Sequence, residues 1–309
     1  MSNAKFRLIT RADFDGVVCG ALFQELEMID EVVFAEPFDM QAGRVAVTGR
    51  DITANLPYVE GVHLCFDHHA SEMTRIGGTR PNRIIDPDAP SAARVVYNHF
   101  GGKTKFSAIP DGLIEAVDKA DSANYTEEDI LAPDKWTLLN FIVDPRTGLG
   151  RFKDFSTTTE EFMIDLMTYC RHTPIDELMR LPEILERVHR YKEHEARAEH
   201  QIVRCATVHG GLLVIDFRRE TLLYATNRFT PYALYPQCSL SLHIINEEEP
   251  GRVHFAMGHS ILNRTSKIDV GKLMLEFDGG GHKVAGGCYV PEANAEGVLN
   301  QLIARVAGG

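Results

Sequence analysis

Two carboxylates stand two residues apart, directly after the first apolar segment of the chain. Residues 6–9 predict a short strand, Asp13 and Asp15 follow it, and Gly16 opens the helix that the pattern predicts next. Side chains just past a strand project into the crevice where open α/β sheets bind ligands. A single Asp in such a place is more often a helix cap or a turn residue. The pair indicates a site only if other elements bring further ligands to the same edge.

Acidic residues and histidines recur after two later predicted strands and at the end of a predicted helix. In chain order they are Asp51, Asp67, His68, His69 and Asp121. Because the carboxyl ends of parallel strands meet at one edge of a sheet, we expect these side chains to lie close together. Clustered carboxylates repel one another unless cations lie between them. Oxygen ligands with one or two imidazoles suit Mn²⁺ or Mg²⁺ better than Zn²⁺, so the pattern predicts a two-metal site.

A second motif, GGGHKVAGG, occupies residues 279–287 after a predicted amphipathic helix. Glycine lets a backbone approach a ligand closely and point successive N–H groups at an anion. A guanidinium upstream can grip a phosphate with two hydrogen bonds, although a surface salt bridge is the simpler role for it. The predicted substrate-binding residues are therefore Arg264, Gly280, Gly281, His282 and Lys283.

Composition and charge exclude several classes of protein. The chain has 309 residues and a formal net charge of −12, and all of that net charge lies within residues 1–200. So acidic a chain should not coat duplex nucleic acid, but a small phosphate-bearing substrate, including a short single-stranded oligonucleotide, is compatible with it. The scattered cysteines argue against disulfides and zinc–thiolate sites. Without an apolar run of bilayer length or a signal peptide, we expect a cytoplasmic protein with no membrane partner.

The order of predicted elements indicates an α/β fold in two domains. We predict strands over residues 6–9, 31–35, 44–48 and 62–66, and helices over residues 16–28, 91–100 and 111–120. Residues 156–205 have a helical pattern, and strands over 211–217, 239–245 and 252–257 with helices over 270–277 and 295–306 follow. Residues 1–180 then form a mostly parallel sheet with flanking helices, 181–205 a connector helix, and 206–309 a smaller α/β domain with a mixed sheet.

With these motifs in this order, the sequence resembles the DHH phosphoesterases that carry a DHH-associated C-terminal domain. The resemblance covers essentially the whole chain, and the nearest branch is the one described as exopolyphosphatase-related or as short-oligonucleotide ribonucleases. It implies a hydrolase that uses two Mn²⁺ ions, with Mg²⁺ as the alternative ion.

The resemblance also implies a role for each candidate residue. Asp13 and Asp51 would hold one metal ion, and Asp15, Asp51, His68 and Asp121 the other, so that Asp51 bridges the two. Asp67 and His69 would orient these ligands or protonate the leaving group, and are the predicted catalytic pair.

The chain departs from the family pattern at one point. The family commonly has a His two or four residues before the first Asp, where this chain has Arg11 and Ile9. The first metal ion could be held by fewer protein ligands, Arg11 could bind phosphate directly, or the site could be impaired.

The function that these residues predict is metal-dependent hydrolysis of a small phosphodiester or phosphoanhydride. The substrate classes left open are short oligonucleotides, phosphorylated nucleotides and polyphosphate. The alternatives are a nucleotide-binding regulator with impaired catalysis, a pyrophosphatase-like hydrolase and a purely structural protein. The sequence leaves open whether the chain forms a homodimer.

Overall fold

The structure is a computed structural model that describes residues 5–247 and 251–307. The chain divides into two compact units, Met1–Asn124 with Pro133–Arg190, and Tyr125–Ala132 with Tyr191–Gly309. The division between them falls inside a helix of the predicted connector, and the domain boundaries at residues 180 and 205 stay predictions.

The strands are labelled in chain order. They are β1 (Phe6–Thr10), β2 (Ile29–Phe34), β3 (Asp51–Ala54), β4 (Leu64–Asp67), β5 (Arg83–Ile85), β6 (Ala206–His209), β7 (Leu212–Asp216), β8 (Leu240–Asn246), β9 (Arg252–His259), β10 (Gly280–His282) and β11 (Ala285–Pro291).

The helices are labelled in the same way. They are α1 (Phe14–Glu25), α2 (Pro37–Gln41), α3 (Ala70–Arg75), α4 (Ala92–His99), α5 (Gly102–Lys105), α6 (Leu113–Asp121), α7 (Glu127–Leu131), α8 (Lys135–Val143), α9 (Thr159–His172), α10 (Ile175–Leu178), α11 (Pro182–Cys205), α12 (Thr230–Leu234), α13 (Val270–Leu275) and α14 (Ala295–Ala307). Short 3₁₀ turns occupy Pro145–Thr147, Leu149–Arg151 and Glu292–Asn294.

The first unit contains a parallel sheet with the order β2-β1-β3-β4-β5. In this order the chain leaves β1 toward one side for β2 and returns to the other side for β3. Ligands of open α/β sheets bind at the carboxyl ends of the strands, at such a switch point. The fold therefore predicts a ligand-binding site at the carboxyl ends of β1, β3 and β4.

Helix α1 begins at this edge, and two local features place it there. Asp13 caps it, since its Oδ1 accepts a hydrogen bond from the Gly16 backbone N at 3.0 Å. A Cβ on Gly16 would lie 2.0 Å from the Arg11 carbonyl oxygen, so only glycine allows the tight passage from strand to helix. The helix is apolar nearly all round because it packs against α4, α6 and α9 as well as the sheet.

The second unit contains a mixed sheet with the order β10-β11-β9-β8-β7-β6. Strands β7 and β8 are parallel and the other neighbours are antiparallel. The two strands predicted here, now β8 and β9, pair antiparallel, while residues 248–250 between them in sequence lie outside the described residues. One face of this sheet packs its buried side chains against α13 and α14. The two sheets confirm the predicted α/β fold class.

One predicted strand is wrong. Residues 44–48 have no regular secondary structure, and the strand begins instead at Asp51. The segment 51–54 is fully buried and pairs with both β1 and β4, so burial on two sides selects it over the earlier apolar residues.

Two further expectations can be compared with the structure. All six cysteines are free thiols, and five of them are buried. Within the described part of the chain, no helix combines the length and the apolar character needed to cross a bilayer.

Candidate functional site

The candidate site lies at the carboxyl edge of the parallel sheet. Asp13 follows β1, Asn55 follows β3, and Asp67 is the last residue of β4. The backbone N of Asn55 donates to the carbonyl of Phe66 at 3.1 Å, and the Asn55 Nδ2 donates to Asp13 Oδ1 at 3.0 Å. The ends of the three strands are thus joined directly, across the switch point of the sheet.

Three side chains near this edge form a group that could hold a metal ion. They are Asp15 in the first turn of α1, His68 directly after β4, and Asp121 at the end of α6. Their ligand atoms all lie within 4.8 Å of one another. Two carboxylates and one imidazole are a donor set that suits a hard or borderline divalent cation.

The structure holds Asp15 rigidly in this group. The backbone N of Ala92 donates to its Oδ2 at 2.9 Å and the backbone N of Ala93 to its Oδ1 at 2.8 Å, at the start of α4. Two N–H donors at a helix N-terminus stabilise a carboxylate and fix its direction.

Hydrogen bonding also fixes the tautomer of His68. Its Nδ1 lies 3.1 Å from the Ala89 carbonyl oxygen, which can only accept, so Nδ1 carries a proton. In the neutral ring, Nε2 then has a free lone pair, and it lies 2.9 Å from Asp121 Oδ2 without making a hydrogen bond to it. Two acceptor atoms this close favour a cation at this position.

Asp67 organises the two histidines that follow it. Its Oδ1 accepts hydrogen bonds from the backbone N of His68 at 2.8 Å and of His69 at 3.3 Å, and lies 2.7 Å from His69 Nδ1. Its Oδ2 is buried and has no hydrogen-bond partner within residues 5–247 and 251–307, and the same holds for Asn55 Oδ1. Buried polar atoms are rarely left unpaired, so these atoms, with His68 Nε2, are what an added cation or polar ligand would satisfy.

The charges at this edge are not balanced. Burial raises the pKa of Asp13, and burial with the nearby charges of Asp121 and Asp13 raises the pKa of Asp15. Burial lowers the pKa of His68, but Asp121 and Asp15 outweigh it and the net shift is upward. The negative charge of Asp121 contributes to the upward shifts of Asp15 and His68, and a divalent cation would neutralise part of this charge.

The structure does not bring Asp51 into this group. Asp51 is the first residue of β3, opposite Arg7 of β1, so it lies at the amino edge of the sheet, about 13 Å along the strand from Asn55. Arg7 Nε donates to its Oδ1 at 2.8 Å and Arg7 Nη2 to its Oδ2 at 3.0 Å. The predicted bridging role is therefore corrected, because β3 starts at Asp51 rather than ending before it. Asn55 occupies the strand end where a bridging carboxylate was expected.

The glycine motif forms a hairpin rather than an open loop. Gly280 pairs with Gly287, Gly281 with Gly286, and His282 with Ala285. A Cβ on Gly281 would lie 2.4 Å from the Ala285 carbonyl oxygen, and its φ is +148°, so the hairpin itself requires glycine there. A Cβ on Gly280 would meet no atom of the described residues within 4 Å. Of the predicted binding residues in this hairpin, Gly280 is thus the glycine that packing does not require.

The other predicted substrate-binding residues lie on the surface of the second unit. His282 and Lys283 are exposed at the tip of this hairpin. Arg264 is exposed as well, and its Nε donates to the Ile261 carbonyl oxygen at 3.0 Å. Their role in binding stays a prediction.

Comparison with known proteins decides the family. No family model and no curated protein sequence matches the chain. Among solved structures, the pGpG-specific phosphodiesterase PggH from Vibrio cholerae is 44% identical, with 98% of this chain and 99% of that one covered and a TM-score of 0.87. The chain belongs to the DHH phosphoesterases. The predicted family is thereby confirmed, and with it the prediction that the protein is a hydrolase rather than a structural protein.

More distant DHH folds share the architecture alone. RecJ from Thermus thermophilus, solved in complex with Mn²⁺, is 14% identical over 99% of this chain and 52% of its own, with a TM-score of 0.51. CDC45 from Entamoeba histolytica is 7% identical over 99% of this chain and 96% of its own, with a TM-score of 0.53.

Two residues of this DHH protein's site were not found from the sequence. Asn55 was missed because the strand was placed too early. The segment after Asp51 is no more apolar than residues 44–48, so local pattern gave no signal for the later strand end. Arg146, in the 3₁₀ turn after α8, was missed because only the tertiary fold brings its charge near Asp13 and Asp121.

Proposed function

We propose that this chain is a divalent-metal-dependent phosphodiesterase that hydrolyses short 5′-phosphorylated oligonucleotides, with pGpG as its principal substrate. The full-length similarity to a pGpG-specific phosphodiesterase supports the substrate. The observation that carries the chemistry is the group of Asp15, His68 and Asp121, in which His68 Nε2 lies 2.9 Å from Asp121 Oδ2.

The residues present fit a divalent cation. Asp15, His68 and Asp121 would hold it, and Asp67 Oδ2 supplies a further unpaired oxygen at the end of β4. When bound, such an ion lowers the pKa of water and offsets the negative charge of a phosphodiester. Mn²⁺ is the ion we propose, since the ligands are mixed oxygen and nitrogen donors.

Residues of the chain itself orient the metal ligands and deliver a proton. Ala89 and the α4 N-terminus keep His68 and Asp15 oriented, so the ligands need little reorganisation. His69 is held through Nδ1 by Asp67, and its partly exposed ring leaves Nε2 to face the leaving oxygen. We assign to His69 the delivery of a proton to that oxygen.

The experiment measures hydrolysis of pGpG, pApA, two- to five-residue oligonucleotides, short polyphosphate and pyrophosphate, with Mn²⁺ and then with a chelator. Mn²⁺-dependent conversion of pGpG to GMP, faster than that of every other substrate, is the expected result. Preferred cleavage of polyphosphate or pyrophosphate would contradict the substrate assignment. Hydrolysis that survives complete chelation would contradict the metal dependence.

Matched variants localise the activity. Asp15→Asn and Asp121→Asn should each lower kcat by at least about 100-fold, since each removes one charged ligand. Asp111→Asn is the control, because Asp111 is an exposed carboxylate of the same unit that pairs with Lys103. Equal activity in Asp15→Asn and Asp111→Asn would place the chemistry elsewhere.

We also propose a cytoplasmic location. A cytoplasmic enzyme fits free thiols and a nucleotide substrate. The oligomeric state is open to direct measurement by light scattering.

A further inference from the structure

The surroundings of Asp13 differ from those of Asp15, although the two residues are neighbours. Asp13 Oδ1 already accepts hydrogen bonds from the Gly16 backbone N and from Asn55 Nδ2, both at 3.0 Å. Its Oδ2 lies 3.3 Å from Arg11 Nη1. Both oxygens therefore face donors of this chain, and one of the donors carries a positive charge.

A second cation would meet poor conditions at this end of the site. The Asn55 amide presents its N–H₂ group to Asp13, because a carboxylate oxygen can only accept. The guanidinium of Arg11 lies at ion-pair distance from the oxygen that a metal ion would bind, and the charge of Arg146 also acts on Asp13. Like charges this close repel strongly in a partly buried site.

Arg11 has donor capacity that the described residues do not use. Its Nε is buried and has no hydrogen-bond partner among them, and its side chain is 25% exposed. A guanidinium presents its N–H groups in a rigid fork that matches phosphate oxygens. The open donors of Arg11 thus fit a phosphate placed beside Asp13.

We infer that this enzyme binds one divalent ion, held by Asp15, His68 and Asp121, and that the Arg11 guanidinium takes the second ion's place beside Asp13 and contacts the substrate phosphate. The inference rests on the proposed function and deepens it. Asn55 belongs to the same arrangement, since its amide donates a hydrogen bond to Asp13 and no cation is needed between the two side chains. Arg11 then neutralises charge on the substrate phosphate and positions it, but unlike a metal ion it does not act as a Lewis acid.

The first test counts metal ions without measuring activity. The purified full-length chain is equilibrated with Mn²⁺, separated from free ion, and analysed by inductively coupled plasma mass spectrometry with protein quantified by amino-acid analysis. We expect one Mn²⁺ per wild-type chain, one in Asp13→Asn and none in Asp15→Asn. Two ions in the wild type would overturn this inference and leave the proposed function standing. No ion in the wild type would overturn the metal dependence of the proposed function itself.

The second test separates a phosphate contact from a structural role. Arg11→Gln should fold and keep one Mn²⁺, while its KM for pGpG rises by about 10- to 100-fold. Arg11→Lys, which keeps the charge but not the fork, should recover part of that loss. Unchanged kinetics in Arg11→Gln, or lost Mn²⁺ binding with it, would contradict the role of Arg11.

A double variant that should gain a second metal ion tests the same arrangement. The double variant Arg11→His with Asn55→Asp replaces a cation and an amide by an imidazole and a carboxylate. Asn55 has a φ of 57°, a region that Asp also tolerates, so the backbone should accept the change. We expect this variant to bind two Mn²⁺ ions per chain. A folded double variant that still binds one ion would show that Arg11 and Asn55 do not set the metal count.

Discussion

Arg7 and Asp51 form a two-hydrogen-bond ion pair at the amino ends of β1 and β3. The pair lies at the opposite edge of the sheet from Asp13 and Asn55, so its carboxylate cannot reach the candidate metal ligands. Its geometry indicates that Asp51 stabilises the fold rather than taking part in the chemistry.

We therefore expect Asp51→Asn to lower the free energy of unfolding by about 1–3 kcal/mol at pH 7, because a charged hydrogen-bonded pair is lost. Burial alone would raise the pKa of Asp51, but Arg7 and the Thr48 backbone outweigh it and lower the pKa below 3.8. The stabilisation is thus complete above about pH 4 and is lost as the pH falls through the lowered pKa. Urea denaturation of both proteins between pH 3 and pH 7 measures it, and unchanged Mn²⁺ binding by the folded variant is the accompanying result.

Divalent metal should stabilise the first unit. A cation held by Asp15, His68 and Asp121 relieves the repulsion among buried carboxylates, and a ligand at a hundredfold excess over its Kd adds about 2.7 kcal/mol. For a domain of this size we expect the melting temperature to rise by about 5–10 °C with Mn²⁺. Differential scanning calorimetry with and without Mn²⁺ checks this, with Asp121→Asn as the variant that should show no shift. An equal shift in Asp121→Asn would indicate binding elsewhere.

The glycines of the β10–β11 hairpin should differ in their tolerance of alanine. Gly281→Ala places a methyl group against the Ala285 carbonyl oxygen at a positive φ, and should cost at least about 2 kcal/mol in the free energy of unfolding. Gly280→Ala has open space for its methyl group and should change stability by less than about 0.5 kcal/mol. Chemical denaturation of the two variants in parallel makes the comparison, and equal losses would contradict the packing argument.

Substrate binding by the second unit can be tested kinetically. If Arg264 holds a distal phosphate of the substrate, Arg264→Ala should raise KM more than it lowers kcat. Gly280→Ala should act in the same direction, since the added methyl group would stand where a ligand approaches the backbone. Steady-state kinetics with pGpG separates the two constants. If kcat falls by the same factor as KM rises, or if neither constant changes, these residues do not bind the substrate in the way proposed.

The second unit should also lose stability in mild acid because of one histidine. Burial and the neighbouring charge of His254 lower the pKa of His243 to about 4. The unfolded chain takes up this proton near the ordinary value of 6.5, so folding becomes less favourable as the pH falls from about 6.5 to 4. His243→Gln removes the titration, and its unfolding free energy should decline less over that interval. Parallel slopes for the two proteins would refute the assignment.

Local patterns in the sequence were enough for much of the fold. Alternating strands and helices, caps such as Asp13, and the change to β-rich texture after α11 predicted both sheets and the family. The sequence placed Asp13 and His68 after predicted strands, whereas Asp121 ends helix α6 and meets Asp15 and His68 only in the folded chain. The errors arose where a strand boundary depends on its neighbours: residues 44–48 are as apolar as 51–54, but only the latter fit between β1 and β4.

The sequence by itself determined which residue types stand after the strands, because apolar runs, turns and helix caps are local features of the chain. Tertiary structure alone decided which carboxylates meet. Parallel pairing sets the register of β3 against β1, and this register sends Asp51 to Arg7 and brings Asn55 to Asp13. It also decided that the charge of Arg146 acts on Asp13 and Asp121, since these residues are far apart in sequence and come near one another only when the helices and strands pack. For that reason the motif predicts two metal ions, whereas the neighbours that Asp13 acquires in the folded chain lead us to infer one ion and an arginine.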